Sequence, residues 1–426
     1  MKQQIGLKEA MSIGIGGMVG GGIFAVLGLS VSLAGGGTPA AFVFAGVLAL
    51  ITSYSYTNLS KTYPDRGGTV KFINMGFGVG VFSGGLNNLL WISYIIMLSL
   101  YASAFASYAP NLLELTGSKS LDFHIYASVI IVLATALNYY SLKVVGKIES
   151  YAVIIKLTIL IGFIIAGLSG LNSSTNLSQL DMSNWEPPLQ LFAGGMVIFV
   201  AYEGFELIAN VAPDIKNPEI NIPRAFYGSV LFVILLYIAI ATVTVGSLPF
   251  DQIKTAQDYV LAEAAKPMFG SAGFTVITFA ALISTFSAIN ASLYGGSRVN
   301  FENAEDDELP HHFLAKLWNQ PVGLMITSVA TLVLVNTLDL ESISTAGSLN
   351  FLLVFAVVNF IGFKLAKKIK GTRILPLTGF ILCSIAFFIL AHLQFNKDRN
   401  GVFVSLSIMG FCFLSEAVFK KLEKNK

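Results

Sequence analysis

Three consecutive glycines, Gly20, Gly21 and Gly22, interrupt the first long apolar stretch of the chain, which covers residues 5–33. Glycine is the poorest helix former after proline, so the triplet predicts that a helix breaks at this point. The stretch is otherwise apolar enough to cross a bilayer, where an unwound backbone is tolerated only if it is buried in protein or lines a cavity. Broken spans of this kind tend to mark the binding sites of transporters. The triplet therefore predicts a broken first membrane span that forms part of a binding site.

The composition of the 426-residue chain is typical of a membrane protein. Hydrophobic residues make up 54% and charged residues 12% of it, and its mean hydropathy is +0.73, which excludes a soluble globular domain of this length. The net charge of +2 argues against a nucleic-acid partner. No cleavable signal peptide is expected, because the first apolar stretch is too long and has no small-residue cleavage site. Cys383 and Cys412 lie in apolar stretches and are expected to be core residues rather than a disulfide. The four histidines show no metal-ligand spacing, so neither a metal nor a cofactor is expected.

Twelve apolar stretches of about 20 residues are expected to cross the membrane as helices. Polar or Gly/Pro-rich segments separate them. They fall at residues 9–33, 39–60, 79–109, 123–142, 150–170, 187–209, 225–248, 268–296, 321–338, 341–365, 373–393 and 400–419. The predicted fold class is therefore an all-α membrane protein with about twelve transmembrane helices.

The lysine and arginine residues predict the orientation of these spans. Twenty of them fall on the side that holds the N-terminus and the even-numbered loops, five fall on the other side, and Lys156 lies within a span. Because loops rich in Lys and Arg stay in the cytoplasm, the asymmetry places both termini there, in a multi-pass protein of the cell membrane. The asymmetry also supports the number of spans. A missed span would move every later loop to the opposite side of the membrane and remove the excess of Lys and Arg on one side.

The sixth stretch contains a second interruption, Gly204 with the carboxylates Glu203 and Glu206 at bilayer depth. Five spans separate the two interruptions, and five is odd, so a repeat of five spans must enter the membrane in the opposite sense the second time. This predicts an inverted repeat with substrate bound where the two broken helices meet. Residues 1–171 would form the first repeat, 187–368 the second, and 373–426 two additional spans and a cytoplasmic tail.

Four stretches resemble patterns of the amino acid–polyamine–organocation transporter superfamily. They are Gly20-Gly21-Gly22-Ile23-Phe24, the segment from Phe199 to Glu206, the loop from Asn217 to Ala225, and Arg298 with Leu309-Pro310 and Phe313. The resemblance implies a leucine-transporter-like fold of five plus five inverted spans, with discontinuous helices 1 and 6 and two extra C-terminal helices. It also implies transport of amino acids or close relatives rather than catalysis.

The chemistry of an amino acid fits two broken helices. Its carboxylate and ammonium are each costly at bilayer depth unless they are matched. Amide groups exposed after the first break would form an anion site with a favourable helix dipole, and carbonyl groups at both breaks could accept from the ammonium. The alternative is that the glycines only permit close helix packing. The predicted substrate site comprises Gly17, Met18, Val19, Gly20, Gly21 and Gly22 with Phe199, Val200, Ala201, Tyr202, Glu203 and Gly204.

Lys156 lies within the fifth apolar stretch. It could snorkel to the interface or pair with a carboxylate. The functional interpretation starts from burial, which disfavours the charged form of a lysine and makes proton exchange possible. The resemblance implies that Lys156 takes the place of the sodium ion that relatives hold between spans one, five and eight. Its ammonium would then approach the carbonyls near Gly16 and Val19 and the hydroxyls of Ser284 or Ser287. Transport would then be proton-coupled and independent of sodium.

Two glutamates of the sixth stretch have several possible roles. Glu206 matches an acidic position of the family pattern and could act in gating, in proton relay or as a structural hydrogen-bond partner. Glu203 departs from the apolar residue that is common in its place. It could favour a cationic substrate, pair with Lys156 or face a polar cavity. The aromatic residues Phe199, Tyr202 and Phe205 could cover the bound substrate or simply pack.

The predicted function is a secondary active transporter that moves amino acids across the membrane by alternating access. An amino acid or polyamine exchanger is the alternative among carriers. A membrane enzyme would need clustered His, Asp or Cys, and a channel would need a continuous polar path, whereas the polar residues here cluster at two breaks. The expected partners are a small amino acid, a proton and the lipid bilayer; the oligomeric state is left open.

Overall fold

The first apolar stretch folds as two helices, α1 (Leu7–Met18) and α2 (Gly22–Ala34), which are bent by 45° at the glycine triplet. The computed structural model describes residues 5–140, 142–171, 174–305, 316–317 and 320–424. Val19, Gly20 and Gly21 form the joint between the two helices. The predicted break in the first span is therefore present.

Five helices follow before the second break. They are α3 (Thr38–Thr62), α4 (Thr69–Phe77), α5 (Val81–Tyr108), α6 (Lys119–Tyr140) and α7 (Leu142–Leu171). The second break lies between α8 (Pro188–Val197) and α9 (Leu207–Asn210), where Ile198–Tyr202 forms a 3₁₀ turn. The remaining helices are α10 (Pro218–Ser247), α11 (Phe250–Thr255), α12 (Val260–Glu305), α13 (Val322–Thr337), α14 (Leu340–Lys364), α15 (Ile374–Lys397) and α16 (Arg399–Lys424).

Short elements connect the helices. Further 3₁₀ turns cover Ala109–Asn111, Leu177–Leu180, Met182–Asn184, Ala212–Asp214 and Gln257–Tyr259. A two-residue antiparallel pair joins β1 (Lys316–Leu317) to β2 (Gln320–Pro321).

Each of the twelve predicted stretches coincides with helix. Within the described ranges, ten helical segments are long and apolar enough to cross a membrane, and the bent pair α1 and α2 makes an eleventh. The twelfth, α13, has 16 residues and is shorter. The all-α, multi-span membrane fold is thus confirmed. Cys383 and Cys412 are buried and free, as the sequence predicts.

The helices divide into a buried centre and a rim. In α5 and in the segment Pro188–Asn210, 89% of the residues in the most apolar window are buried, against 28% in α15 and α16. Exposed apolar side chains on α15 and α16 are at no disadvantage next to lipid, which is as apolar as they are. The second break therefore lies at the centre, and the last two helices lie at the periphery.

Main-chain bridges attach both ends of the first broken span to segments beside the second break. The amide of Ile5 donates to the carbonyl of Asp214 at 2.8 Å, and the amide of Lys216 donates to the carbonyl of Ile5 at 2.9 Å. At the opposite end, Gly35 forms an antiparallel bridge with Trp185. These bridges hold the two broken spans in a fixed relation.

The two breaks touch backbone to backbone at Gly204 and Gly17. Gly204 has a φ of +114°, a conformation that favours glycine. A Cβ atom added to Gly204 would lie 2.5 Å from the carbonyl carbon of Gly17 and 2.7 Å from the amide nitrogen of Met18. Only a residue without a side chain permits this approach.

Replacing Gly204 with alanine is expected to destabilise the protein by on the order of 3 kcal/mol, because the backbone conformation is strained and the Cβ meets backbone that cannot move away. The control is Gly162→Ala on α7, where an added Cβ would meet nothing within 4 Å. That change should be neutral or slightly stabilising. The midpoint of thermal unfolding in detergent compares the variants, and equal midpoints would contradict the close approach of the two breaks.

Candidate functional site

At the first break, the N-terminal end of α2 has no side-chain cap. The first amides of a helix have no acceptor within the helix. Gly21 occupies the N-cap position of α2. Since glycine has no side chain, these amides receive no hydrogen-bond acceptor from an N-cap side chain. These buried N–H groups and the positive end of the helix dipole together favour a bound anion.

Each glycine of the triplet faces a different neighbour. A Cβ on Gly20 would lie 2.7 Å from the Cβ of Ala288 on α12, and one on Gly21 would collide with the ring of Tyr101 on α5. A Cβ on Gly22 would lie 2.9 Å from the Cα of Ala201, in the second break. The glycines thus serve close packing as well as the break, so the two interpretations of the triplet do not exclude each other.

Lys156 on α7 and Ser284 on α12 converge on the carbonyl groups that end α1. The ammonium of Lys156 donates to the carbonyl of Gly16 at 3.0 Å. The hydroxyl of Ser284 donates to the carbonyl of Val19 at 2.8 Å and also contacts that of Gly20. The C-terminal end of a helix is where its dipole favours a positive charge. Lys156 is fully buried, which excludes a snorkelling side chain, and Ser287 is buried on the same helix as Ser284.

Tyr237 on α10 connects the two breaks, and the sequence did not reveal it. Its hydroxyl lies 2.6 Å from the carbonyl oxygen of Met18 and 3.1 Å from that of Ala201. Each carbonyl oxygen has two lone pairs, so both retain an acceptor position. The only sequence signal is that a tyrosine in an apolar span needs a partner for its hydroxyl when it is buried.

Two serines of α14 replace helical hydrogen bonds that the second break has lost. The hydroxyls of Ser344 and Ser348 donate to the carbonyl of Val197 at 2.9 and 2.7 Å. The oxygen of Ser348 also accepts from the amide of Val200 at 3.2 Å. Sequence reasoning missed these serines, although their spacing of four residues places them on one face of a buried helix.

Glu203 and Glu206 lie buried between the second break and α5. Oε2 of Glu206 accepts from the amide of Gly204 at 2.7 Å, and Oε1 accepts from the hydroxyl of Tyr94 at 3.3 Å. The hydroxyl of Tyr101 lies 3.5 Å from Oε2 of Glu203. Glu206 therefore makes the structural hydrogen bond that was one of its predicted roles.

The aromatic residues of the second break pack inside the protein in this conformation. Tyr202 donates its hydroxyl to the carbonyl of Phe42 at 2.8 Å. The ring of Phe199 meets that of Phe355 edge-on, with centroids 5.8 Å apart, and Phe205 meets Tyr56 in the same way at 5.4 Å. Their proposed cover over a substrate stays a prediction. The loop pattern of Leu309, Pro310 and Phe313, together with the side chain of Arg298, lies outside the described residues.

Comparison with known proteins places the chain in a family. Residues 5–414 match the family described as amino acid permease. The chain is 33% identical to the uncharacterized protein MJ0609 of Methanocaldococcus jannaschii, over 99% of this chain and 96% of that protein. It is 31% identical to the inner membrane transport protein YbaT of Escherichia coli, over 99% and 97%. It is also 25% identical to the serine/threonine exchanger SteT of Bacillus subtilis, over 96% and 95%. The chain therefore belongs to the amino acid permeases of the amino acid–polyamine–organocation superfamily, which are transporters rather than enzymes.

Proposed function

We propose that the protein is a secondary active transporter that moves amino acids across the cell membrane by alternating access, with proton coupling and without a need for sodium. The contact of the Lys156 ammonium with the carbonyl of Gly16, at 3.0 Å, is the observation that carries this proposal. A sodium ion bound between spans would be held by such carbonyl and hydroxyl oxygens. A lysine ammonium supplies a covalently attached cation in its place.

The coupling follows from the two charge states of Lys156. When protonated, it is attracted to the negative end of the α1 dipole and donates to Gly16. When it loses its proton, the charge disappears and the hydrogen bond weakens. Proton binding to Lys156 thus stabilises the conformation in which α7 is held against α1. If the transporter alternates between two conformations, proton binding increases the population of this one.

The proposed substrate site comprises the residues of both breaks predicted from the sequence. The open amides at Gly22 and the following residues bind the carboxylate. The carbonyls of Met18 and Ala201, which now accept from Tyr237, bind the ammonium. The two ends of an amino acid would then face helix ends of opposite polarity. Main-chain amides and carbonyls are uncharged, but they can balance the carboxylate and the ammonium of the amino acid. The site therefore does not require a charged side chain.

Replacing Gly22 with valine is expected to abolish amino acid binding, because the side chain would collide with the main chain at Ala201 and displace the amides at the start of α2. The shift of the thermal unfolding midpoint on adding amino acids measures binding, since a ligand stabilises the state that binds it. Gly162→Val on α7 is the matched control and should bind as the original chain does. The methyl ester of the same amino acid lacks the carboxylate and should not stabilise even the unchanged protein. An ester that binds as well as the acid would place the site elsewhere.

Replacing Lys156 with alanine is expected to remove proton-driven uptake. In sodium-free liposomes, the unchanged protein should accumulate an amino acid when the interior is alkaline, and Lys156→Ala should not. Lys266→Ala is the control, since Lys266 is half-exposed and pairs with Glu263 at 2.8 Å. A strict sodium requirement, or full proton-driven uptake by Lys156→Ala, would refute the proposed coupling.

Antiport is the second candidate, and the relative SteT, whose name describes an exchanger, favours it. Symport and antiport use the same substrate site. They differ in whether the transporter can switch its opening from one side of the membrane to the other without a bound substrate. Uptake that requires an unlabelled amino acid inside the liposomes would identify exchange. Uptake into empty liposomes would identify symport.

We also propose the five-plus-five inverted repeat, with residues 1–171 and 187–368 as its halves and 373–426 as a peripheral addition. The contact of the two breaks at Gly17 and Gly204 supports a site between the halves. The shallow burial of α15 and α16 supports their peripheral place. The charge distribution along the sequence supports cytoplasmic termini.

Cysteine labelling of intact cells tests this topology. Lys119 and Lys367 are both exposed and lie on opposite sides of the membrane in the proposed arrangement. A membrane-impermeant thiol reagent should label Lys119→Cys from outside and Lys367→Cys only after permeabilisation. The native cysteines are buried, which keeps the background low. The opposite labelling pattern would invert the proposed orientation.

A further inference from the structure

A cluster of cations lies where α14 ends and α15 begins. Residues 364–373, termed the basic turn, contain Lys364, Lys367, Lys368, Lys370 and Arg373. Residues 342–397 contain no Asp or Glu. In the described parts of the chain, none of these cations forms an ion pair. The basic turn therefore carries positive charge that no described carboxylate offsets.

Cations at the junction of α3 and α4, on the same side of the membrane in the proposed topology, are paired instead. Lys61, Arg66 and Lys71 each lie within 3.7 Å of a carboxylate oxygen. Lys and Arg residues in a loop orient a chain during insertion whether or not they are paired in the folded protein. Orientation alone therefore does not explain why the charge of the basic turn is left without carboxylates.

The main chain of the basic turn is fixed, so its cations have defined positions. Ala366 and Ile369 are buried and anchor the turn against the protein. The amide of Gly371 donates to the carbonyl of Ala366 at 2.9 Å, and the amide of Thr372 donates to the hydroxyl of Tyr54 on α3 at 2.7 Å. These contacts hold the turn as one ordered surface.

Four of the cations are available to a ligand on this surface. Lys364 is used within the fold, because its ammonium donates to the carbonyl of Gly76 at 2.8 Å. The guanidinium of Arg373 lies 5.8 Å from the centroid of the Phe363 ring. The available cations are exposed, and they are Lys367, Lys368, Lys370 and Arg373.

Lys370 occupies a backbone conformation that favours glycine. Its φ is +51°. The hydrogen bond from Gly371 to Ala366 closes the turn around it in the pattern that usually places glycine at this position. A lysine in this conformation costs stability relative to glycine. The turn thus has a cation where an uncharged residue would be more stable, which indicates a use for the charge.

Exposed apolar side chains adjoin the basic turn. Ile374, Leu375 and Leu377 at the start of α15 are 76%, 41% and 38% exposed. They belong to the periphery of the protein, since only 28% of the most apolar window of α15 is buried. A ligand with an anionic phosphate group and hydrocarbon chains matches both the cations and the apolar side chains, whereas free phosphate matches only the cations.

We propose that the basic turn binds the headgroups of anionic phospholipids, with the acyl chains against the start of α15. Each Lys or Arg beside the membrane raises the affinity for anionic lipid about fivefold. The guanidinium of Arg373 can bind a phosphate through two hydrogen bonds, and the lysines act as point charges. The inference is independent of the proposed substrate site and of the direction in which the chain crosses the membrane.

Lipid binding to the purified full chain in a neutral detergent tests the proposal. Phosphatidylglycerol should bind and raise the midpoint of thermal unfolding, and added salt should weaken this effect. Phosphatidylcholine with the same acyl chains has a phosphate but no net charge, and it should have little effect. Equal effects of the two lipids would refute the proposal. Inorganic phosphate that stabilises as strongly as phosphatidylglycerol would also refute it, because the site would then bind a free anion.

A triple variant locates the binding surface. Combining Lys367→Gln, Lys368→Gln and Arg373→Gln should lower the affinity for phosphatidylglycerol by about two orders of magnitude. The control replaces three exposed lysines outside the turn with glutamine and so removes the same charge, at Lys119, Lys254 and Lys397. It should retain the original affinity. An equal loss of affinity in both variants would contradict a local site.

Lys370→Gly separates lipid binding from folding. Glycine relieves the backbone conformation, so the unfolding midpoint without lipid should stay the same or rise. The affinity for phosphatidylglycerol should nevertheless fall about fivefold, because one cation is lost. An affinity equal to that of the unchanged protein would overturn the assignment of the turn as the binding surface. A failure to bind or transport amino acids would leave all of these lipid measurements intact.

Discussion

The structure depends on one constraint: in a membrane, every main-chain N–H and C=O group that a broken helix releases must find another partner. Two spans are broken here, and groups from four other helices meet their free ends. Lys156 of α7 and Ser284 of α12 contact the carbonyls that end α1. Tyr237 of α10 lies between the carbonyls of both breaks, and Ser348 of α14 bonds to the second. The amides at the start of α2 have no side-chain cap, and they are the groups at which we propose that a ligand binds.

The spans and both breaks could be predicted from the sequence because their causes are local. A hydrophobic run of sufficient length predicts a span, and Gly20 or Gly204 at its middle predicts a break, without knowledge of any distant residue. Lys156 could also be identified, because a lysine in an apolar run is anomalous on its own. Its approach to the first break came from the resemblance, and the contact with Gly16 agrees with it.

Tyr237, Ser344 and Ser348 could not be predicted, because each is defined by a partner far away in the chain. The hydroxyl of Tyr237 meets a carbonyl 219 residues earlier, and that of Ser348 meets one 151 residues earlier. A tyrosine or serine in a helix looks the same in sequence whether it bonds to its own backbone or to another span.

The bridges from Ile5 to Asp214 and from Gly35 to Trp185 have a consequence for biosynthesis. The ribosome synthesises the chain from its N-terminus, so the first span enters the membrane before half of the chain has been made. Its partners at both ends, and those of its unwound middle, belong to segments made much later. The first span must therefore remain incomplete during translation, with its free carbonyls in contact with water or the insertion machinery. The first span, α1 and α2, therefore reaches its native structure late, only after α12 has been inserted.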